Sequence, residues 1–129
     1  MSENFAVEII SPNKLVLKEE TEEVTLPCFE GEMGILKDHI SLITFLRPGV
    51  ITIKKENKEK KFFVEEGTVE FSNNNLLILT STAKNLTELP NDFVERLIKN
   101  SQEKINQKDI SDKEKYLLSH KIDVLKQVN

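Results

Sequence analysis

The chain has 129 residues, with 18 Lys/Arg against 22 Asp/Glu and a single cysteine. That length holds one domain or a small domain with an appendage, and a body of roughly 85 residues buries a modest core without disulfide or metal. The charge is mildly acidic, 10 basic against 14 acidic residues over 1–84 and 8 against 8 over 85–129. This excludes the basic face of a nucleic-acid binder.

In chain order, the N-terminus MSENFAVEII lacks a basic n-region, a long apolar core and a cleavage site, so no secretory signal is expected. No apolar run approaches the ~20 residues of a membrane span. Cys28 has no partner for an internal disulfide, which points to a reducing compartment, with the bacterial cytoplasm as the default. Phe5, Val7 and Ile9 alternate with Ala6, Glu8 and Ile10 until Ser11-Pro12-Asn13 breaks the run, and Leu15, Leu17, Val24 and Leu26 continue the theme.

The stretch Leu26–Ile53 holds three of the four glycines. Glu30-Gly31-Glu32-Met33-Gly34 reads as a tight redirecting loop. Leu42, Ile43, Phe45 and Leu46 read as a buried segment. Pro48-Gly49 suits the central positions of a type II turn, and Ile51–Lys54 alternates as a strand does. Lys54–Lys61, with seven charges in eight residues, reads as a solvated turn region. Phe62–Val64 leads to a turn at Glu66-Gly67, Val69 and Phe71 alternate with polar neighbours, and Asn73-Asn74-Asn75 marks a hairpin before Leu76–Thr80.

From Pro90 the period becomes helical. Phe93, Val94, Leu97, Ile98 and Ile105 share one stripe, with Asn91 or Asp92 as the cap. Ser111-Asp112-Lys113-Glu114 is a capping box, and Leu118, Ile122 and Leu125 form the stripe of a second helix, with Leu117, Val124 and Val128 beside it. The short connector Asn106–Ile110 makes the two helices antiparallel neighbours. The fold class is therefore β + α. An N-terminal all-β sandwich or flattened barrel of about ten strands over 1–86 precedes a C-terminal antiparallel two-helix hairpin over 87–129. Two helices bury only one seam between them, so the hairpin needs a further surface to lean on.

Chemistry is sparse. Asp38, His39 and Ser41 supply triad residue types, but sequence neighbours rarely take triad geometry. Glu30 and Glu32 read as solvated loop carboxylates with no burial to tune them. His39 and His120 lie in different modules and no ligand cluster has recognised spacing, so no metal site is expected. A Gly-rich phosphate loop followed by Lys-Ser/Thr is absent from the sequence. No catalytic residues and no enzyme activity are expected.

Leu26-Pro27, Glu30-Gly31-Glu32-Met33-Gly34-Ile35-Leu36, His39, Leu42-Ile43-Thr44 and Leu46-Arg47-Pro48-Gly49, in this order and spacing, resemble the epsilon subunit of F-type ATP synthases. The likeness runs on through Phe63–Phe71 and Leu77–Ala83, covering residues 5–84. The resemblance implies a non-catalytic central-stalk subunit of a proton-translocating enzyme. Its sandwich joins the gamma subunit to the membrane ring of c subunits, and its hairpin inhibits ATP hydrolysis when extended toward the catalytic alpha/beta head.

By position, Glu30, Gly31, Glu32, Met33 and Gly34 fall on the ring-facing loop, and His39, Leu42, Thr44 and Arg47 on the gamma-facing side. The regulatory hairpin carries Lys113, Lys115, Leu118, Lys121, Ile122, Leu125 and Lys126. The resemblance places the chain peripherally on the cytoplasmic face of the bacterial inner membrane, bound there only through the complex, with no nucleic-acid partner. Cys28-Phe29, Lys37 and Ile40-Ser41 depart from the family pattern in loops. Some relatives bind nucleotide through the hairpin. Here Glu88-Leu89-Pro90-Asn91-Asp92 stands where they have an acidic, Ala-rich helix start, which leaves ATP binding the weaker expectation and no cofactor the stronger. A free-standing small-molecule or nucleotide-sensing sandwich is the alternative reading.

Overall fold

The computed structural model describes residues 3–88 and 92–127. The chain forms two compact units, Met1–Thr87 and Glu88–Asn129. Leu89, Pro90, Asn91 and Val128, on which parts of the helical reading rest, lie outside the described residues.

The first unit has ten strands: β1 Phe5–Ser11, β2 Lys14–Thr21, β3 Glu23–Cys28, β4 Gly31–Leu36, β5 Leu42–Leu46, β6 Gly49–Lys55, β7 Lys58–Val64, β8 Gly67–Ser72, β9 Asn75–Leu79 and β10 Lys84–Asn85. They form one sheet in the order β10-β7-β6-β3-β5-β8-β9-β1-β2, with β4 paired to β3. All pairings are antiparallel except β1 with β9. The sheet curls on itself, because the end of β2 reaches back to β6: Thr21 Oγ1 and the Glu22 N–H both donate to Lys54 O, at 2.6 and 3.0 Å. Lys60 of β7 also meets Glu19 of β2 at 2.7 Å. The two faces that close over each other bury Phe5, Val7, Ile9, Leu26, Leu46, Ile51, Phe71, Leu76 and Ile78. The alternation read in β1 is reproduced, with Phe5, Val7 and Ile9 inside and Ala6, Glu8 and Ile10 half-buried.

Turn chemistry explains two of the hairpins directly. Asn73 and Asn74 take φ of 51° and 59° between paired Ser72 and Asn75, the left-handed pair that a two-residue hairpin requires. Glu56 and Asn57 do the same, at 50° and 65°, between Lys55 and Lys58. The turn region expected over Lys54–Lys61 therefore shrinks to those two residues. The charged residues on either side are cross-strand neighbours, as the Lys54–Glu59 pair at 3.8 Å shows.

One further expectation fails. Glycines with φ > 0 include only Gly31 among the described residues, so Pro48-Gly49 is not a type II turn. Gly49 is instead a close-approach glycine, since a Cβ there would fall inside contact distance of the Pro27 ring. Gly67 is of the same kind, with Leu79 O only 2.8 Å from where its Cβ would stand.

The second unit is α1 Phe93–Ile105 and α2 Asp112–Gln127. The Glu114 N–H donates to Ser111 Oγ at 3.1 Å, the first half of the capping box. Asp92 is the N-cap of α1, yet its side chain makes no cap bond. Its carboxylate pairs with Arg96 Nε at 3.3 Å, one turn along the helix.

Candidate interaction surface

The segment expected to be a loop, Glu30–Gly34, is a two-residue turn followed by a strand. Cys28 pairs with Gly31, leaving Phe29-Glu30 as the turn, and Gly31 takes φ 127°. A side chain at Gly31 would be strained. Residues Gly31–Leu36 then run back along β3, with Glu32 and Gly34 exposed and Met33 packed against the core. Two glycines mimic a loop in the sequence because neither flanking carboxylate shows which residue turns.

Glu30 is not an idle carboxylate. Thr44, buried at 6% exposure, donates its hydroxyl to Glu30 Oε2 at 3.1 Å. The Phe29 N–H donates to Phe45 O at 3.2 Å, and the Arg47 N–H to Pro27 O at 2.9 Å. The turn is thus stitched onto β5 from both sides. Cys28 lies under this junction. Burial pushes its thiol up from the ordinary 9.0 and the Glu30 charge adds to the rise, while the Thr44 hydrogen bond and Arg47 pull the other way.

A pH prediction follows from that direction. A folded-state thiol raised above its unfolded value contributes stability that is full below pH ~9 and lost as pH climbs through the folded value. Cys28→Ala should be about 1 kcal/mol less stable than the parent near neutrality, from the lost packing. The gap should narrow at pH 10, and urea midpoints at pH 7.5 and 10 check it.

β5 corrects the reading of Leu42–Leu46 as a buried run. Leu46 pairs with buried Cys28 and faces the core, so the alternation turns Leu42 and Thr44 inward as well. Ile43 and Phe45 face out, at 71% and 59% exposure. Of the residues placed on the gamma-facing side, Thr44 therefore offers no side chain to a partner, and Leu42 packs on the core. The outward pair Ile43 and Phe45, with Phe29, Leu36 and Ile40, are exposed apolar side chains that sequence reasoning missed. Alternation was visible in LITFL, but its parity was not, because an exposed apolar residue reads in sequence like a core residue.

The segment before β5 is also anchored. The Asp38 N–H donates to Asn74 Oδ1 at 2.7 Å, and Asn74 Nδ2 donates back to Asp38 Oδ1 at 2.9 Å. Asp38 itself has φ 67°. His39 Nδ1 lies 2.8 Å from Ile40 O, so that nitrogen carries the proton, and the ring stands edge-on to Phe71 with centroids 6.0 Å apart. With Asp38 bound to Asn74 and His39 to a carbonyl, the Asp-His-Ser run forms no triad. No group of three or more His, Cys, Asp or Glu suited to a metal occurs among the described residues.

In the second unit, Lys113, Lys115 and Lys126 are exposed. Lys121 is not, at 9% exposure beside Ile122 at 8% and Leu125 at 1%. The reason is its position. Three residues after Leu118 and four before Leu125, it falls inside the apolar stripe and buries its methylene stem there. Tyr116 and His120 stack one turn apart, with centroids 6.4 Å apart and planes 13° from parallel.

Residues 4–86 match the family model described as ATP synthase, Delta/Epsilon chain, beta-sandwich domain. The ATP synthase epsilon chain of Pelagibacter ubique (strain HTCC1062) is 50% identical over 130 residues, covering 100% of both chains. That of Chelativorans sp. (strain BNC1) is 34% identical over 90 residues, covering 69% of this chain and 67% of its own. Among solved structures, a chain of the Euglena gracilis mitochondrial ATP synthase superposes with TM-score 0.77 at 18% identity, covering 98% of this chain and 79% of that one. A chain of the Tetrahymena thermophila mitochondrial ATP synthase central stalk/c-ring superposes with TM-score 0.66 at 16% identity, covering 95% and 93%. At those identities the two structures speak for the fold. The family rests on the sequence matches, and by them this chain belongs to the epsilon chains of F-type ATP synthase.

Proposed function

We propose that the chain is the non-catalytic rotor subunit that joins gamma to the c-ring in the central stalk of a proton-translocating ATP synthase. The observation that carries this reading is full-length 50% identity to an epsilon chain. The surface agrees with it: a sandwich that spends Ile43, Phe45 and Ile40 on solvent is built to be covered. The turn Phe29-Glu30 and the strand start Gly31–Gly34, with Glu32 exposed, form the ring-facing end. The outer side of β5, reached through His39 and Arg47, forms the gamma-facing side. No described helix is long and apolar enough to cross a membrane. The complex therefore holds the chain at the cytoplasmic face of the inner membrane.

The hairpin acts as a brake on hydrolysis. Lys113, Lys115 and Lys126 approach acidic segments of the catalytic head in the extended state, while Leu118, Ile122 and Leu125 hold whichever surface the hairpin rests on. The attraction is modest and salt-screened, because Asp112, Glu114 and Asp123 offset it. Affinity-tagged full-length chain should bring down gamma and the ring from a membrane extract. Deleting 111–129 should leave that assembly intact and raise its ATP hydrolysis. Absence of gamma from the purified material refutes the stalk role, and equal hydrolysis rates refute the brake.

A further inference from the structure

The position of Pro27 fixes which way the backbone of β4 points. Pro27 has no N–H and stands opposite Glu32. Its carbonyl is turned away from β4, where it accepts from the Arg47 N–H at 2.9 Å. Pro27 and Glu32 therefore exchange no bonds, and the alternation of an antiparallel ladder gives the bonds to Leu26–Met33 and Val24–Ile35. Glu32, Gly34 and Leu36 turn their N–H and C=O groups the other way. The 3.1 Å bond from the His39 N–H to Leu36 O lies on that outer side. Among the described residues β4 pairs with β3 alone, so this outer row is an open sheet edge.

Strands β2, β7 and β10 are blunted against such exposure. β2 carries Lys14 and Lys18, β7 carries Lys58, Lys60 and Lys61 beyond its pairs with β10, and β10 is two residues long. β4, reading GEMGIL, has no Lys, no Pro and no register shift. Its solvent face holds Glu32, Gly34 and Leu36, the last 54% exposed, while Met33 and Ile35 turn to the core.

We infer that this edge pairs with the β4 edge of a second copy of the chain, antiparallel about a two-fold axis at Gly34. An axis at Gly34 is the one that gives each of the three outward residues an outward partner, Gly34 with Gly34 and Glu32 with Leu36. That register keeps the two Glu32 carboxylates at opposite ends and lays Leu36 of each copy beside the other's Glu32 stem. Met33 then stands opposite Ile35 of the second copy, so the core faces of the two sheets run on as one. Leu36 O accepts a further bond through its second lone pair. A foreign strand would satisfy the bonds, but nothing would match it to the spacing of Glu32 and Leu36. The inference does not use the stalk reading. Because Glu32 and Gly34 also stand in the proposed ring-facing end, the paired form belongs to the chain before assembly.

Sedimentation equilibrium of the full-length chain should show a reversible dimer, dominant at about 1 mM and absent at about 1 µM, as suits a contact one strand wide. Amide exchange followed by NMR reads the edge directly. The Glu32, Gly34 and Leu36 amides should gain protection with concentration, while those of Met33 and Ile35, bonded to β3, keep theirs throughout. Gly34→Pro removes an outward donor and leaves the β3 ladder whole, so melting should stay parent-like while dimerisation weakens at least about tenfold. Leu36→Glu sets like charges opposite each other and should weaken pairing about fivefold, whereas Leu36→Lys, facing Glu32 of the second copy, should pair at least as well as the parent. Salt should narrow that difference. Ile43→Glu, exposed on β5, should dimerise within about twofold of the parent. If Gly34→Pro fails to fold, the two Leu36 variants decide. A monomer at about 1 mM overturns the pairing. So does equal behaviour of Leu36→Glu and Leu36→Lys, or a dimer lost in Ile43→Glu and kept in Gly34→Pro. Protection of the three amides by added c-ring, with the free chain monomeric, overturns it in favour of a strand from the ring.

Discussion

Phe71→Ala is expected to cost about 4 kcal/mol, the upper range for emptying a buried aromatic site. Phe71 is 1% exposed at the centre of β8, between Leu42 and Leu76 on the neighbouring strands. Its ring is the edge partner of Phe5 at 5.7 Å and 89°, and of His39 at 6.0 Å and 88°. Against a total stability of about 5–15 kcal/mol for a domain, this loss alone leaves the unit marginal. The site suffers as well as the core, because His39 loses the surface that holds its ring. Urea unfolding followed by circular dichroism should show a lower midpoint at an unchanged slope. Hydrogen exchange at the Asp38 and His39 amides should quicken in the same variant. An unchanged midpoint would mean that Phe5 and His39 close the gap.

Gly49→Ala should be nearly as damaging, about 3 kcal/mol, through overpacking rather than a cavity. The added carbon meets Pro27 Cγ at 2.9 Å and Pro27 Cβ closer still, in a corner where both residues are buried. Pro27 cannot retreat, because its carbonyl accepts from the Arg47 N–H at 2.9 Å. Gly34→Ala is the matched control. Nothing lies within 4 Å of its added carbon, so the change should stay within about 0.5 kcal/mol. For a unit of this size about 1 kcal/mol moves Tm by roughly 4–8 °C, so thermal melting separates the two variants by ten degrees or more. Similar melting temperatures would show that the corner at Pro27 yields.

Much of the fold was written locally. The alternation of Phe5, Val7 and Ile9, the paired asparagines at 73–74 and the Ser111–Glu114 cap each rest on contacts within a few residues; the first two are found as read, and the cap in its Ser111 half. What escaped depends on partners distant in sequence. Gly49 looks like a turn glycine until Pro27 is placed beside it. Glu30 looks solvated until Thr44 is seen to donate to it across 14 positions. Lys121 looks available until helical phase puts it between Leu118 and Leu125. The surface escaped for a different reason. The exposed β5 residues Ile43 and Phe45 are indistinguishable from core residues until the sheet has chosen which parity faces inward.

The parallel pairing of β1 with β9 also sets an order for synthesis. Four of the strand pairs here join neighbours in the chain, and they close as soon as both partners exist. The β1–β9 pair joins Ile10 to Leu79, and no local contact substitutes for it. At about 5–20 residues per second, a ribosome needs roughly 3–14 seconds to deliver β9 after β1 has emerged. Through that interval the β1–β2 hairpin holds Val7 and Ile9 without the strand that covers them, and a lone hairpin is barely stable in water. The nascent chain is therefore most exposed to aggregation before residue 79, and its closing step is a slow, non-local one.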